Sequence, residues 1–79
     1  MVSEDQALDW LAKVFQEPRD KITPETPRDA IVSWDSLGVL ELMAQLDEKF
    51  NIVLSDQEMQ AMKKVGDVLS VLRERGQLS

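Results

Sequence analysis

The chain has 79 residues, a formal net charge of −6 and 43% hydrophobic residues, and it contains neither histidine nor cysteine. These absences exclude disulfide bonds, zinc sites built from imidazole or thiolate, and a serine nucleophile activated by histidine. Because 79 residues are too few for two independent cores, we expect one domain over residues 1–79. No apolar run approaches the ~20 residues of a membrane span, and the acidic charge disfavours nucleic acid. We expect a monomer in the cytoplasm.

The first predicted element is a helix over about residues 4–16. Ser3 and Gln6 have the spacing of a capping box. The apolar residues that follow recur at helical spacing, and they are Ala7, Leu8, Leu11, Val14 and Phe15. We expect Trp10 at the edge of this helix with its indole N–H toward solvent, because a buried Trp needs a partner for that group. The core as a whole is predicted to be mostly aliphatic.

A long loop is predicted after this helix, because prolines interrupt regular structure before about residue 30. These prolines are Pro18, Pro24 and Pro27. Residues 28–32 could add a short helical turn. Three apolar residues are expected to anchor the loop on the core, namely Ile22, Ile31 and Val32.

The second predicted helix covers residues 36–50 and has two apolar faces. One face has the spacing of a core stripe and consists of Val39, Leu42, Met43, Leu46 and Phe50. The opposite face carries a smaller apolar patch, Leu37, Leu40 and Ala44, with Glu41, Asp47 and Glu48 beside or within it. A helix that only packs on a core does not need a second apolar patch, so this face is interpreted as a partner-docking surface.

The acidic residues are concentrated in the same region. Residues 35–60 carry a net charge of −5, whereas the other 53 residues together carry −1. A field of this sign favours partners with basic patches. The alternative is a solvated helix face that is kept acidic for solubility. The acids lack the spacing of a calcium-binding loop, and no metal site is expected.

Ser36 is the one candidate for covalent chemistry. Asp35 and Ser36 precede an apolar periodic segment, so either residue could simply cap the helix. Without an imidazole partner, Ser36 is a poor nucleophile for this protein to activate by itself. It could instead be a serine that another enzyme modifies, and these residues alone leave both interpretations open.

Two further helices complete the predicted fold. Ser55 and Glu58 form a second capping box, which starts a short third helix through about Met62. A fourth helix is predicted to open at Gly66 and to end at Gly76. The predicted fold class is therefore all-α, a small four-helix bundle of three main helices and one short helix, with a long loop between the first and second helices.

From residue 35 to residue 72 the chain resembles the acyl carrier proteins without a gap. The residues that carry the resemblance are Asp35-Ser36-Leu37, Glu41-Leu42, Leu46, Phe50, Ile52, Leu54, Asp56, Glu58, Val65, Asp67, Leu69 and Leu72. The resemblance implies that Ser36 is esterified with 4′-phosphopantetheine, which a phosphopantetheinyl transferase takes from coenzyme A. The thiol of that arm would carry an acyl group as a thioester, so the resemblance implies a carrier and not an enzyme.

The resemblance also implies roles for neighbouring residues. Asp35 and Leu37 would flank the attachment site. The second helix would be the main recognition element, with partner contacts at Leu37, Leu40, Glu41, Ala44, Asp47 and Glu48. The partners would be acyl-loading, condensing or acyl-transferring enzymes of fatty-acid, lipid or polyketide biosynthesis that have basic docking patches.

Three residues depart from the common pattern of this family. Gly38 stands where many fatty-acid carriers have an acidic residue, Trp34 is bulky, and Ser55 occupies a place where proline is frequent. Together they indicate a specialised stand-alone carrier. Two alternatives are an aminoacyl or peptidyl carrier, which often has Gly-Gly or Gly-His where this chain has Ser33-Trp34, and an unmodified helical adaptor.

Overall fold

The computed structural model describes residues 1–79 and contains four α-helices. They are α1 (Glu4–Phe15), α2 (Ser36–Phe50), α3 (Asp56–Gln60) and α4 (Val65–Glu74). Two 3-10 turns, Arg19–Lys21 and Arg28–Ala30, lie in the long loop between α1 and α2. The prediction of an all-α bundle with three main helices, one short helix and a long loop is confirmed. None of the helices combines the length and the hydropathy that are needed to cross a bilayer.

The helix starts follow the predicted capping residues. Ser3 Oγ accepts from the Gln6 N–H at 3.1 Å, and the Gln6 side chain accepts from the Ser3 N–H at 2.9 Å. Ser55 and Glu58 repeat this box at the start of α3, with distances of 3.1 and 3.0 Å. Each box pairs two N–H groups that helix geometry leaves without intrahelical partners.

Three predicted helix boundaries shift by one or two residues, and the first of them is the end of α1, at Phe15 rather than at Gln16. α3 ends at Gln60 rather than at Met62, because the Met62 N–H turns back to the Met59 carbonyl in a tighter i→i−3 bond. α4 begins at Val65, one residue before Gly66. Gly76, with φ +73°, follows the end of α4 as predicted.

The core is one cluster of 22 buried residues, all of them hydrophobic. Four of the five residues predicted for the core stripe of α2 are buried, namely Val39, Leu42, Leu46 and Phe50. The fifth, Met43, is half-buried at the edge of the cluster. α2 therefore packs on the bundle through the predicted face, and its opposite face is left at the surface.

Both tryptophans are buried, and the prediction that Trp10 places its indole N–H in solvent is wrong. Trp10 packs edge-on against Phe50, with ring centroids 5.0 Å apart. Its Nε1 atom is buried without a hydrogen-bond partner, at a cost of about 1–3 kcal/mol. Burial of ~200 Å² of aromatic surface contributes about 5 kcal/mol, so packing outweighs the lost hydrogen bond.

The loop between α1 and α2 is anchored by two of the three predicted residues. Ile22 and Ile31 are buried, but Val32 is 86% exposed, so its predicted role as an anchor is wrong. Trp34 takes that role instead, because the Trp34 N–H bonds the Ile31 carbonyl at 3.1 Å in a turn that points both flanking side chains inward. Val32, between them, points out.

Polar contacts fasten the same loop to α1 and to the start of α4. Arg19 donates to Asp9 at 2.6 Å, to Asp5 at 2.9 Å and to the Ile22 carbonyl at 3.0 Å. Three backbone hydrogen bonds join the loop to the segment at the start of α4. The Arg28 N–H donates to the Lys63 carbonyl, the Val65 N–H to the Thr26 carbonyl and the Gly66 N–H to the Pro24 carbonyl. The long loop is thus a fixed part of the bundle, and it delivers the chain to the start of α2 in one position.

Candidate functional site

Ser36 is the first residue of α2 and is exposed. The N-cap is Asp35, whose Oδ1 accepts from the Gly38 N–H at 3.0 Å. The Ser36 hydroxyl makes no hydrogen bond within the protein. Asp35 therefore performs the capping function that both residues could have supplied, and the Ser36 hydroxyl is free for another partner.

The start of α2 also provides a favourable setting for an anion. The N–H groups of Ser36 and Leu37 precede the capped N–H of Gly38, so helix geometry leaves them without intrahelical acceptors. α2 is 15 residues long, and its macrodipole places positive partial charge at this end. A phosphate ester on Ser36 would lie beside these donors.

The face of α2 opposite the core is exposed along its whole length. Leu37 is 76% and Leu40 is 61% exposed, and Ala44 is exposed beyond them. The acidic side chains of this face are also exposed, namely Glu41, Asp47 and Glu48. The predicted docking residues therefore form a continuous surface stripe that begins at Ser36, with apolar and acidic side chains intermixed.

A surface groove of about 710 Å³ separates the end of α1 from the start of α2. Its α2 side includes Asp35, Leu37, Leu40 and Glu41, which were all predicted as site residues. Its other wall, at the C-terminal end of α1, consists of Lys13, Val14 and the C-cap residue Gln16, none of which was predicted as a site residue. Helical periodicity gives no signal for this wall, because a loop of about twenty residues separates the two halves of the groove in the chain.

Gly38 is required by a close backbone approach. A Cβ atom at this position would lie 1.7 Å from the carbonyl oxygen of Ser33, far inside van der Waals contact. Glycine lowers helix stability by about 0.5–1 kcal/mol relative to alanine. It is nevertheless found at this position because a residue with a Cβ atom does not fit beside that carbonyl. An acidic residue at position 38 would require the Ser33 backbone to move.

Trp34 holds the chain two residues before Ser36. Its ring stacks on Phe15, with centroids 4.9 Å apart, and the Arg28 guanidinium lies 5.6 Å from the ring centroid. The Trp34 Nε1 atom is buried without a partner. The buried, stacked ring therefore anchors the backbone that leads into Ser36. The position of Trp34 beside the Asp-Ser-Leu motif does not predict this role.

The acidic region also contains one lowered pKa, that of Glu58 at the start of α3. The Ser55 backbone N–H lowers the pKa of this carboxyl most, and the Ser55 hydroxyl and Arg75 lower it further. Arg75 lies 3.9 Å from Glu58. These contacts stabilise the ionised capping box. No group of three or more carboxylates converges into a candidate metal site.

Comparison with known proteins identifies relatives that are acyl carrier proteins, although no protein-family model matches the chain. The chain is 37% identical to the acyl carrier protein of Helicobacter pylori over 54 residues, which cover 68% of this chain and 69% of that protein. It is 29% identical to the acyl carrier protein of Thermobifida fusca over 76 residues, 91% of this chain and 96% of that protein. The meromycolate extension acyl carrier protein of Mycobacterium leprae is 23% identical over 77 residues, 92% of this chain and 67% of that protein.

Proposed function

This chain belongs to the acyl carrier protein family, whose members are carriers and not enzymes, and we propose that Ser36 is the attachment point for its cargo-bearing arm. A separate phosphopantetheinyl transferase esterifies the Ser36 hydroxyl with 4′-phosphopantetheine from coenzyme A. The Ser36 oxygen forms the new bond to phosphorus, its proton leaves to the transferase or to solvent, and the nucleotide part of coenzyme A departs as the leaving group.

The observation that carries this proposal is the free, exposed Ser36 hydroxyl at the start of α2. Asp35 caps the helix, so the hydroxyl is not consumed by the fold. The unpaired N–H groups of Ser36 and Leu37 supply donors for a phosphodiester. The thiol of the bound arm supplies the thioester chemistry, which agrees with a chain that has no cysteine.

The exposed stripe of α2 is proposed as the docking face for the transferase and for acyl-loading, condensing or acyl-transferring enzymes. Leu37, Leu40 and Ala44 offer apolar contact area, and the interspersed acids Glu41, Asp47 and Glu48 steer toward basic patches on those enzymes. Contacts of this kind need to be brief, because a carrier must leave one enzyme to reach the next. We further propose a single monomeric domain that works in the cytoplasm.

The cargo is proposed to be an acyl intermediate of fatty-acid, lipopolysaccharide, polyketide or other lipid assembly. The relatives named above are acyl carriers, which favours this cargo over an aminoacyl or peptidyl group. A specialised pathway is supported by Gly38, because the close Ser33 carbonyl excludes the acidic side chain that many fatty-acid carriers have there. Enzymes that contact that acid would find one docking charge missing.

The proposal is tested by incubating the protein with coenzyme A and a broad-range phosphopantetheinyl transferase and measuring intact mass. Wild type gains the mass of one arm, and Ser36→Ala gains none. Ser70→Ala is a matched control, because Ser70 is an exposed serine on α4, and it gains the same mass as wild type. Circular dichroism verifies that all three proteins are helical. Modification of Ser36→Ala, or none of wild type, would overturn the proposal.

A further inference from the structure

Val32 is the most exposed of the large hydrophobic residues, at 86%. It lies four residues before Ser36, in the turn of residues 31–34. A single exposed apolar residue is ordinary on a protein surface. Val32 differs because Leu37 and Leu40, on the other side of Ser36, are also highly exposed. Exposed apolar side chains thus occur on both sides of the candidate attachment serine.

The turn that carries Val32 is held rigidly. Ile31 and Trp34, at its two ends, are buried, and the Trp34 N–H bonds the Ile31 carbonyl at 3.1 Å. The Trp34 ring stacks on Phe15, and the Arg28 guanidinium lies over the ring at 5.6 Å from its centroid. The Val32 side chain therefore has no inward alternative, and binding a partner would not require the turn to be ordered first. Contacts that are preorganised in this way lose little conformational entropy on association.

The same turn is joined directly to the start of α2. The Ser33 carbonyl, next to Val32, lies against Gly38, in the helical turn that presents Ser36 and Leu37. Val32 and Leu37 are consequently carried by two backbone segments in direct contact. An enzyme that reaches the Ser36 hydroxyl therefore approaches two adjoining backbone segments that each carry an exposed apolar side chain.

We propose that Val32 is a second apolar docking contact, which acts with Leu37 when a partner enzyme engages Ser36. The occupant is a protein surface with an apolar depression bordered by basic side chains, because exposed acids lie three residues to either side of Val32, at Asp29 and Asp35, and Glu41 is exposed on α2. An anionic membrane does not fit, since these carboxylates would be repelled by its surface. The inference rests on the proposed function and adds to it a residue outside α2 that determines partner affinity.

The test compares Val32→Ser with Val53→Ser. Val53 is a matched control because it is also a valine, 73% exposed, in a connection adjoining α2 at its other end. The probe is the phosphopantetheinyl transferase that modifies wild type. Its binding to each variant is measured by titration in a Ser36→Ala background, where no reaction occurs, and kcat/KM is measured with Ser36 intact.

Val32→Ser is expected to weaken binding and kcat/KM about 10-fold, the scale of losing one or two buried methyl groups, and Val53→Ser less than about 2-fold. Both exposed substitutions should leave the melting temperature within about 2 °C of wild type, because neither side chain packs in the core. Equal effects of the two variants, or no effect of Val32→Ser, would overturn the inference. If either outcome is found while Ser36 is still modified, the proposed function stands and only the role of Val32 is contradicted. If wild type is not modified, both the proposed function and the role of Val32 are contradicted.

Discussion

The carbonyl oxygen of Ser33 occupies the place where any residue other than glycine at position 38 would put its Cβ. Asp35 and Ser36 lie between these two contact points, so the candidate attachment site is closed into a small backbone loop. The Asp35 cap on the Gly38 N–H closes the same loop a second time. Ser36, within this short segment, is exposed at the surface of the bundle.

The Gly38→Ala variant tests this contact by the sign of its effect. In an ordinary helix this substitution stabilises by about 0.5–1 kcal/mol. Here the methyl group would clash with the Ser33 carbonyl, so we expect destabilisation by about 1–3 kcal/mol in urea unfolding. Transferase kcat/KM should fall as well, because the displaced turn carries the site with it. If Gly38→Ala instead stabilises the protein by about 0.5–1 kcal/mol, the Ser33 backbone can move away from the new methyl group without loss of stability, and this account is contradicted.

The Arg19 side chain is expected to stabilise the loop more than any other surface arginine. Arg19→Gln removes its bonds to Asp5 and Asp9 and to the Ile22 carbonyl. Single surface ion pairs contribute about 0–1 kcal/mol, but this one side chain joins three groups, so we expect a loss of about 1–2 kcal/mol in urea unfolding. Arg73→Gln is the control, because its contact with Glu4 is 3.9 Å long, and it should cost less than about 0.5 kcal/mol. Similar losses in both variants would contradict this account.

The capping box of α3 predicts a particular pH dependence. The pKa of Glu58 is lowered in the folded protein, chiefly by the Ser55 backbone N–H, so its ionised form adds stability above the ordinary glutamate pKa. That stability is lost as the pH falls through the lowered pKa. The Glu58→Gln variant should therefore melt below wild type at neutral pH, and the two melting temperatures should converge in acid. A difference that persists unchanged in acid would assign the effect to packing and not to charge.

Electrostatic docking along α2 predicts a salt-dependent defect in Glu41→Lys. The variant should bind the transferase several-fold more weakly at low ionic strength, and the difference from wild type should shrink toward 1 M salt, where the Debye length falls to about 3 Å. Glu25→Lys makes the same charge change at an exposed loop acid outside α2 and serves as the control. Titration at several salt concentrations measures both. A defect that is independent of salt, or equal in the two variants, would argue against steering by this face.

The helices were predictable because the signals that set them are local. The capping boxes at Ser3 and Ser55, and the apolar spacing within each helix, act over a few residues of chain. The errors concern packing between distant segments. Trp10 is buried because Phe50, forty residues away, receives its ring. Hydrophobicity alone could not show that Trp34 would take the inward position that was predicted for Val32.

The features of the candidate site also separate into those that local sequence predicts and those that depend on packing between distant segments. Ser36 and the stripe of α2 follow from a motif and from helical spacing, and both lie at the surface as expected. The α1 wall of the groove and the contact between Ser33 and Gly38 depend on how the long loop returns to the bundle. From the sequence, Gly38 is a missing docking charge and a weak residue in the first helical turn, whereas the structure gives it a steric reason.

The most direct measurement of the central claim is peptide mapping of the protein purified from the cells that make it. Trypsin cleavage after Arg28 and Lys49 releases one peptide that holds both Ser33 and Ser36. Fragment-ion mass spectrometry of that peptide should place a 4′-phosphopantetheine group, free or acylated, on Ser36. The same mass on Ser33, or a peptide that is unmodified throughout the purified protein, would contradict the account.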